Sequence, residues 1–378
     1  MSKKQDTLMK HIDGETHFPY RFENVEKKAQ EVLPKEAFDY IQSGAGREET
    51  LSNNRTSLEQ VKIVPRMLQN VGNIDLSVKL FGNTYKQPVF LAPIGMQKLA
   101  HPEAELATVR AAKKHGVPMI VSTASTFSLE EIAKEVPDHP LWYQIYWNER
   151  HPDVSINMAV RAEQAGYDAI VVTVDTVLIG WRERDLENQF SPLKAGYGLA
   201  NFKNDEAFMS HLDGTDDDTI VRGIVENFAH PTLNWKDIEK IKKATGLPVI
   251  VKGILDPEDA RFALEHGVDG IIVSNHGGRQ LDGVIGSAEA LPTIVEEING
   301  QIPVLFDGGI RRGADVVKAL ALGADAVLVG RPFMYGLAID GENGVSNVLE
   351  HLLSDLHVSA GLAGSPDVRT LKALKTRK

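Results

Sequence analysis

The segment Ser274-Asn275-His276-Gly277-Gly278-Arg279-Gln280-Leu281 places an imidazole and a guanidinium three residues apart on one glycine-rich loop. An imidazole can accept a proton near neutral pH. A guanidinium can grip a carboxylate through two parallel hydrogen bonds. Together they suit proton removal at a carbon next to a carboxylate. The loop follows residues 269–273 (DGIIV), a short apolar run with the character of a buried strand. Taken alone, the loop is equally compatible with a solvated turn, so its setting along the chain decides.

That setting is a repeat. Short apolar runs occur at 88–93 (PVFLAP), 118–122 (PMIVS), 141–146 (LWYQIY) and 168–174 (DAIVVTV). Four more follow at 247–252 (LPVIVK), 269–274 (DGIIVS), 302–307 (IPVLFD) and 325–330 (DAVLVG). Helical patterns at 102–115, 152–165, 257–266 and 314–322 lie between them, several opening on Pro or Asp and closing on Gly. Eight βα units predict an α/β fold, a (β/α)8 TIM barrel, over the alternative of a doubly wound open sheet. The spacing breaks once, between Val174 and Leu247, by far more than an ordinary βα connection needs. An insertion at about 181–235 after strand four reads as a lid over the barrel mouth. Its aromatics Trp181, Phe190, Tyr197 and Phe202 imply that part of it packs. Residues 1–87 read as an N-terminal helical cap with helices at 22–32 and 34–41. Residues 88–340 read as the barrel and 341–378 as a C-terminal helix and tail, the whole forming one domain.

Composition bounds the function. The 378 residues are 42% hydrophobic and 25% charged, as in soluble globular proteins. The net charge of −11 disfavours nucleic acid and a basic membrane-surface role. Cysteine is absent, which excludes disulfides, thiolate nucleophiles, iron–sulfur clusters and Cys-ligated zinc, and no metal is expected. The polar start has no signal-peptide pattern and no run is long enough to span a bilayer, so a cytoplasmic location is expected.

Barrel active sites lie at the carboxyl ends of the strands. Here those ends carry Ala92-Pro93-Ile94-Gly95, Ser122, Gln144 and Tyr146, then Thr173 and Asp175 with Arg182 close behind. Lys252, His276 with Arg279, Asp307-Gly308-Gly309 with Arg311, and Gly330-Arg331 complete the set. The last two ends, glycine-rich with adjacent cations, match the place where barrels bind phosphate.

With these residues assembled, the chain resembles the FMN-dependent L-2-hydroxy acid oxidising family, which includes glycolate oxidase, L-lactate oxidase and L-lactate 2-monooxygenase. Residues 274–281 read as its active-site signature. Further matches are Phe38-Asp39-Tyr40, Leu91-Ala92-Pro93, Gln97-Lys98-Leu99-Ala100-His101-Pro102, Gln144-Ile145-Tyr146, Thr173-Val174-Asp175-Thr176, Val251-Lys252-Gly253 and Phe306-Asp307-Gly308-Gly309. The resemblance runs from about residue 22 to about residue 371. It implies FMN as cofactor, an L-2-hydroxy acid and O2 as substrates, and a homotetramer. It implies that His276 is the general base and that Asp175 orients it. Arg279 and Arg182, aided by Tyr40, would grip the carboxylate, and Tyr146 the hydroxyl. Lys252 would stabilise the reduced flavin from its pyrimidine edge. Ser122, Gln144, Thr173 and Ser274 would bind the flavin ring, with the backbone of Ala92, Pro93, Ile94 and Gly95 on its other side. Asp307, Gly309, Arg311, Gly330 and Arg331 would hold the phosphate end.

Two positions bear on the branch. Lactate oxidase-like members carry Ala where Gly95 stands, and glycolate oxidase-like members an aromatic ring at Ala124. The insertion, with 180–186 (GWRERDL) and 198–201 (GLAN), resembles the L-lactate 2-monooxygenase branch, in which slow pyruvate release lets peroxide decarboxylate it to acetate, CO2 and water. The alternatives are an L-lactate oxidase releasing pyruvate and hydrogen peroxide, a dehydrogenase serving a quinone or cytochrome, and an inactive phosphate-binding barrel.

Overall fold

The eight apolar runs become eight parallel strands: β1 (Val89–Leu91), β2 (Met119–Ser122), β3 (Leu141–Ile145), β4 (Ala169–Thr173), β5 (Val249–Ile254), β6 (Gly270–Val273), β7 (Val304–Asp307) and β8 (Ala326–Val329). They pair in sequence order, and β8 pairs with β1, so the sheet closes into a barrel and the open-sheet alternative falls. The computed structural model describes residues 18–227 and 230–377. Every strand residue is buried except Gly253, which is half-buried. Strands covered on both faces carry continuous apolar runs rather than alternating ones. Phe90, Ile120, Trp142, Val171, Ile250, Ile272, Leu305 and Leu328 fill the barrel interior. The intervening residues, such as Val89, Val121, Tyr143, Val172 and Phe306, belong to the larger core shared with the helices.

One end of the barrel is stoppered. The hairpin of Val78–Leu80 and Asn83–Tyr85 adds Leu80 and Tyr85 to the interior cluster. Trp142 Nε1 donates to Tyr85 Oη at 3.2 Å, and the Phe81 ring meets Trp142 edge-on. Trp142 and Phe90 lie early in their strands, so this is the amino-terminal end. The carboxyl-terminal mouth is left for chemistry.

Among the described residues, three helices precede the barrel. Phe22–Val32 coincides with the expected segment, and the expected 34–41 is Lys35–Gln42. The third, Glu49–Gln60, was not foreseen from its polar sequence, yet it buries Asn54, Ser57 and Leu58. The insertion carries short helices at Glu183–Glu187, Ala200–Lys203 and Glu206–Ser210, and a longer one at Asp217–Asn227. It is anchored by Asn201, fully buried, whose amide donates to Thr123 O at 3.0 Å and Ser125 Oγ at 2.8 Å and accepts from Leu129 N. Phe202 is buried and Tyr197 is partly buried against the core, as expected of packing aromatics. Trp181 is not: 70% of it is exposed, beside exposed Leu178 and Ile179. The helical stretch Arg331–Leu362 breaks at Asp340-Gly341, where both residues leave helical geometry. No helix among the described residues is long and apolar enough to cross a membrane.

Candidate active site

The His276 side chain is aimed by an unusual turn. Backbone φ is +56° at His276, +63° at Gly277 and +77° at Gly278. A left-handed conformation at a histidine is strained and persists only where the surroundings impose it. A Cβ on Gly278 would lie 2.6 Å from Leu51 N, so only glycine lets this turn sit on the helix Glu49–Gln60. Asn275 and Asn54 exchange two amide hydrogen bonds of 2.8 Å in the same buried contact. His276 N donates to Ser274 Oγ at 3.0 Å.

The His276 Nδ1 atom lies 2.8 Å from Asp175 Oδ1. Burial raises the Asp175 carboxyl, but the positive charge of protonated His276 and of Lys252 outweighs it, so its pKa falls below the usual range. An ionised Asp175 only accepts, which puts a proton on Nδ1 and leaves Nε2 with a free lone pair. Burial is the largest influence on His276 and pushes its pKa down, while Asp175 pulls it up and Lys252 lowers it; the net shift is downward. The resting imidazole is therefore neutral at pH 7. Burial also raises the Tyr146 phenol, reinforced by Asp175, so it remains protonated.

Two arginines are held by carbonyls at the C-terminal end of the helix Lys35–Gln42. Arg279 Nη1 donates to Tyr40 O at 2.6 Å and Ser43 O at 2.9 Å. Arg331 donates to Ile41 O, Ser43 O and Gly277 O. Helix carbonyl ends favour cations. Arg279 lies over the Tyr40 ring at 4.8 Å, and Arg182 at 6.0 Å. Arg182 Nε donates to Arg279 O at 3.2 Å, joining the insertion to the His276 loop. Burial, then the charge of Arg182 and Arg331, pushes Arg279 down to about 9. Burial similarly lowers Arg311 and Arg331. These are cations in want of an anion.

They surround one cavity of about 510 Å³ at the barrel mouth, within the range of about 300–1,000 Å³ typical of small-molecule sites. Tyr40, Ala92, Pro93, Ile94, Gly95, Ser122, Tyr146, Arg182, Lys252, His276, Arg279, Asp307, Gly309, Arg311, Gly330 and Arg331 all line it. Asp175, Gln144, Thr173 and Ser274 do not reach its wall. Asp175 and Ser274 support His276 from behind, and Ser274 Oγ also accepts from Lys252 Nζ at 3.0 Å. Lys252 is buried 3.4 Å from Asp307 Oδ2. Burial opposes its charge, but Asp307 and Asp175 raise its pKa above the ordinary lysine value. Among the described residues, buried Gln144 Nε2 and Asp307 Oδ1 have no hydrogen-bond partner. Leaving buried polar groups unpaired costs about 1–3 kcal/mol each. A ligand with a hydrogen-bonding planar edge and a phosphate tail fits these unpaired atoms and the Arg311 and Arg331 cations.

Sequence reasoning missed Asn54, Thr176 and Glu105. Thr176 Oγ1 donates to Asp175 Oδ1 at 3.2 Å. Glu105 is fully buried below the β1 loop, where its carboxylate accepts from Gln97 N. Asn54 and Glu105 leave no local signal because their partners lie on other elements, whereas Thr176 stands in a matched motif that assigns it no role of its own.

A barrel with a neutral imidazole, a buried ammonium and a ring of arginines at its carboxyl mouth has the make-up of an enzyme that binds anionic ligands there. Residues 29–378 match the model of the FMN-dependent dehydrogenase family. The L-lactate oxidase of Lysinibacillus sphaericus (strain C3-41) is 51% identical over 369 residues, 98% of this chain and 95% of that protein. The 2-hydroxyacid oxidase 1 of Homo sapiens is 42% identical, over 93% of this chain and 95% of its own length. A crystal structure of mandelate oxidase with (S)-4-hydroxymandelic acid superposes with a TM-score of 0.87 at 43% identity, covering 95% of this chain and 99% of that one. The chain belongs to the FMN-dependent dehydrogenase family, with FMN as its cofactor, and its relatives include 2-hydroxy acid oxidases.

Proposed function

We propose that the protein oxidises L-lactate, or a close short L-2-hydroxy acid, with O2 as electron acceptor. The observation that carries this reading is the His276–Asp175 pair, 2.8 Å apart, in one cavity with Arg182, Arg279 and Tyr146. FMN held in this cavity would supply the two-electron redox chemistry, with O2 as the final acceptor. Its polar ring edge would meet Ser122 and Lys252 on the wall, with Gln144, Thr173 and Ser274 in the layer behind them, and Ala92 to Gly95 would line its other side. Asp307, Gly309, Arg311, Gly330 and Arg331 would hold its ribityl phosphate end, the arginines facing the phosphate itself. Arg279 and Arg182 hold the substrate carboxylate through paired N–H donors. Tyr40 and Tyr146 supply further contacts to the carboxylate and hydroxyl. His276 Nε2 takes the proton released in the oxidation. Ionised Asp175 stabilises the imidazolium that results. The ammonium of Lys252 offsets negative charge that develops beside it.

The finer proposal concerns the product. Gly95, Ala124 and Gly198 are packed so closely that a Cβ on either glycine would lie 2.7 Å from Ala124 O. The insertion is thus seated directly on the loops after β1 and β2, which supports slow product escape. Pyruvate held there with peroxide would be decarboxylated to acetate, CO2 and water. The second reading, release of pyruvate and hydrogen peroxide, is favoured by the name of the Lysinibacillus sphaericus relative. Product analysis after aerobic turnover of L-lactate separates them: acetate supports retention, and stoichiometric pyruvate with peroxide sinks it. Absence of any L-lactate-dependent flavin bleaching without oxygen would remove the substrate assignment itself.

A homotetramer in the cytoplasm belongs to the same proposal. Its support is the exposed apolar run Val177, Leu178 and Ile179 with Trp181 beside the mouth, a patch of the kind that association covers. Light scattering that returns a monomer mass would reject it.

A further inference from the structure

Away from the barrel mouth, three side chains with metal-ligand chemistry come together from two parts of the chain. His151 immediately precedes the helix Pro152–Gln164, and Asp153 lies in its first turn. His211 follows the insertion helix Glu206–Ser210. The two imidazole rings stack with centroids 3.7 Å apart and planes 16° from parallel. His211 Nε2 lies 2.9 Å from Asp153 Oδ2, and one donor atom from each of the three residues lies within 4.8 Å of the others.

We infer that His151, Asp153 and His211 form a binding site for one divalent transition-metal ion of the zinc class, which clips the insertion to the barrel. A tetrahedral ion with bonds of about 2.0–2.2 Å sets its ligand atoms about 3.3 Å apart. The Asp153–His211 edge is already close to that value. The other edges need close by no more than about 1.5 Å, within the reach of side-chain rotation on a surface. Two histidines and one carboxylate on one side of the ion leave the remaining positions to water.

The backbones that carry these groups are fixed. His151 N donates to Asn148 Oδ1 at 2.9 Å, and Asn148 is buried. His211 N donates to Phe208 O, and Phe208 is a core residue. The same two helices are joined through buried Asp205, which accepts from Arg161 and Asn157. The donor set is therefore assembled only while the insertion helix is docked. An ion that binds this set and not the undocked chain stabilises the docked form by mass action.

The test uses untagged, chelator-treated holoenzyme titrated with zinc chloride by calorimetry, with hydrogen exchange across residues 200–211 read in parallel. The expected result is one ion per chain and slower exchange in that segment when zinc is present. His151→Ala and His211→Ala should each weaken binding at least about tenfold, the loss that even an outer-sphere partner can cost. Both sites are at the surface, and unchanged flavin content and circular dichroism would show intact folding. His266→Ala removes another surface histidine paired with a carboxylate, Glu239 at 2.7 Å, and should leave binding intact. Absence of stoichiometric binding, binding that survives both substitutions, or equal loss in His266→Ala would overturn the inference.

Discussion

Replacing Asp175 by Asn tests the acid–base assignment more sharply than removing His276, because it keeps the shape and deletes one charge. Asp175 Oδ1 lies 2.8 Å from His276 Nδ1 in a largely buried pair. At a charge separation of about 4 Å and an effective dielectric constant of about 20, the attraction between carboxylate and imidazolium is about 4 kcal/mol. That charge pair exists only once His276 has taken the proton, so its loss raises the barrel enzyme's barrier rather than weakening substrate binding. Four kcal/mol corresponds to about three decades in rate, and the residual amide dipole recovers part of it. The expected fall in kcat is about 100- to 1,000-fold, with little change in KM because both arginines remain. The pH dependence carries a second signature. Asp175 pulls the His276 pKa upward against burial, so its removal lowers that pKa further. The active neutral base then persists to lower pH, and the acid limb of kcat/KM moves down. Anaerobic stopped-flow bleaching of the flavin by L-lactate across pH 4.5–8 measures both quantities. A kcat within a few-fold of the parent, or an acid limb that moves upward, would refute the pairing as a catalytic device.

Three further outcomes are expected. Arg279→Lys replaces a fork, already held by Tyr40 O and Ser43 O, with a point charge, and charge-assisted bonds of about 1.5–3 kcal/mol predict a KM for L-lactate raised about 10- to 150-fold in steady-state assays. Gly95→Ala sets a Cβ 2.7 Å from Ala124 O and pushes the loop on which Gly198 is seated, so the pyruvate-plus-peroxide share of product, measured by chromatography, should rise; an unchanged split would detach the product partition from this contact. Glu105 is pushed up to about 7 by burial, with backbone hydrogen bonds lowering it only in part. The folded state then binds more protons than the unfolded one between about pH 4.5 and 7, so this residue costs stability as pH rises through that window. Glu105→Gln should therefore melt higher than the parent at pH 8 and nearly level with it at pH 4.5 in thermal scans; a variant that gains nothing at pH 8 would contradict the shift.

The barrel was legible because a strand covered on both faces has no choice but to be apolar. The observed strands are mostly a residue or two shorter than the apolar runs, since flanking residues such as Asp168 and Asp325 serve turns and caps. Asp325, for example, accepts from Val304 N at 2.9 Å. The helix Glu49–Gln60 was illegible for the opposite reason: its buried face is made of Asn54, Ser57 and Leu58, and a polar core face leaves no hydrophobic period. The residues that line the site were readable as chemistry at strand ends. Their supports were not. Asn54 meets Asn275 across 221 residues, and Asn201 reaches Thr123 across 78. A hydrogen bond between side chains so far apart leaves no trace in either local sequence. Trp181 shows the complementary error, since aromatic character marks a surface that something covers, not which surface covers it.

The charges explain why these distant supports are tolerated. Five cations, Lys252, Arg182, Arg279, Arg311 and Arg331, line a cavity in a chain whose net charge is −11. Against them stand Asp185 and Asp307 on the wall and Asp175 behind it, which leaves 5 − 3 = 2 net positive charges with His276 neutral. Helix carbonyls at residues 40–43 partly compensate them, yet Arg279 and Arg331 remain destabilised by burial. A substrate carboxylate brings one negative charge, and a phosphate monoester about 1.5 to 2. The two together neutralise the excess to within about one charge, whereas either alone leaves the Arg279 or the Arg331 end uncompensated. The site is therefore less stable than its surroundings until both anions are present. It needs the cap helices, the Asn54–Asn275 clasp and the seated insertion to hold mutually repelling groups in register before they arrive.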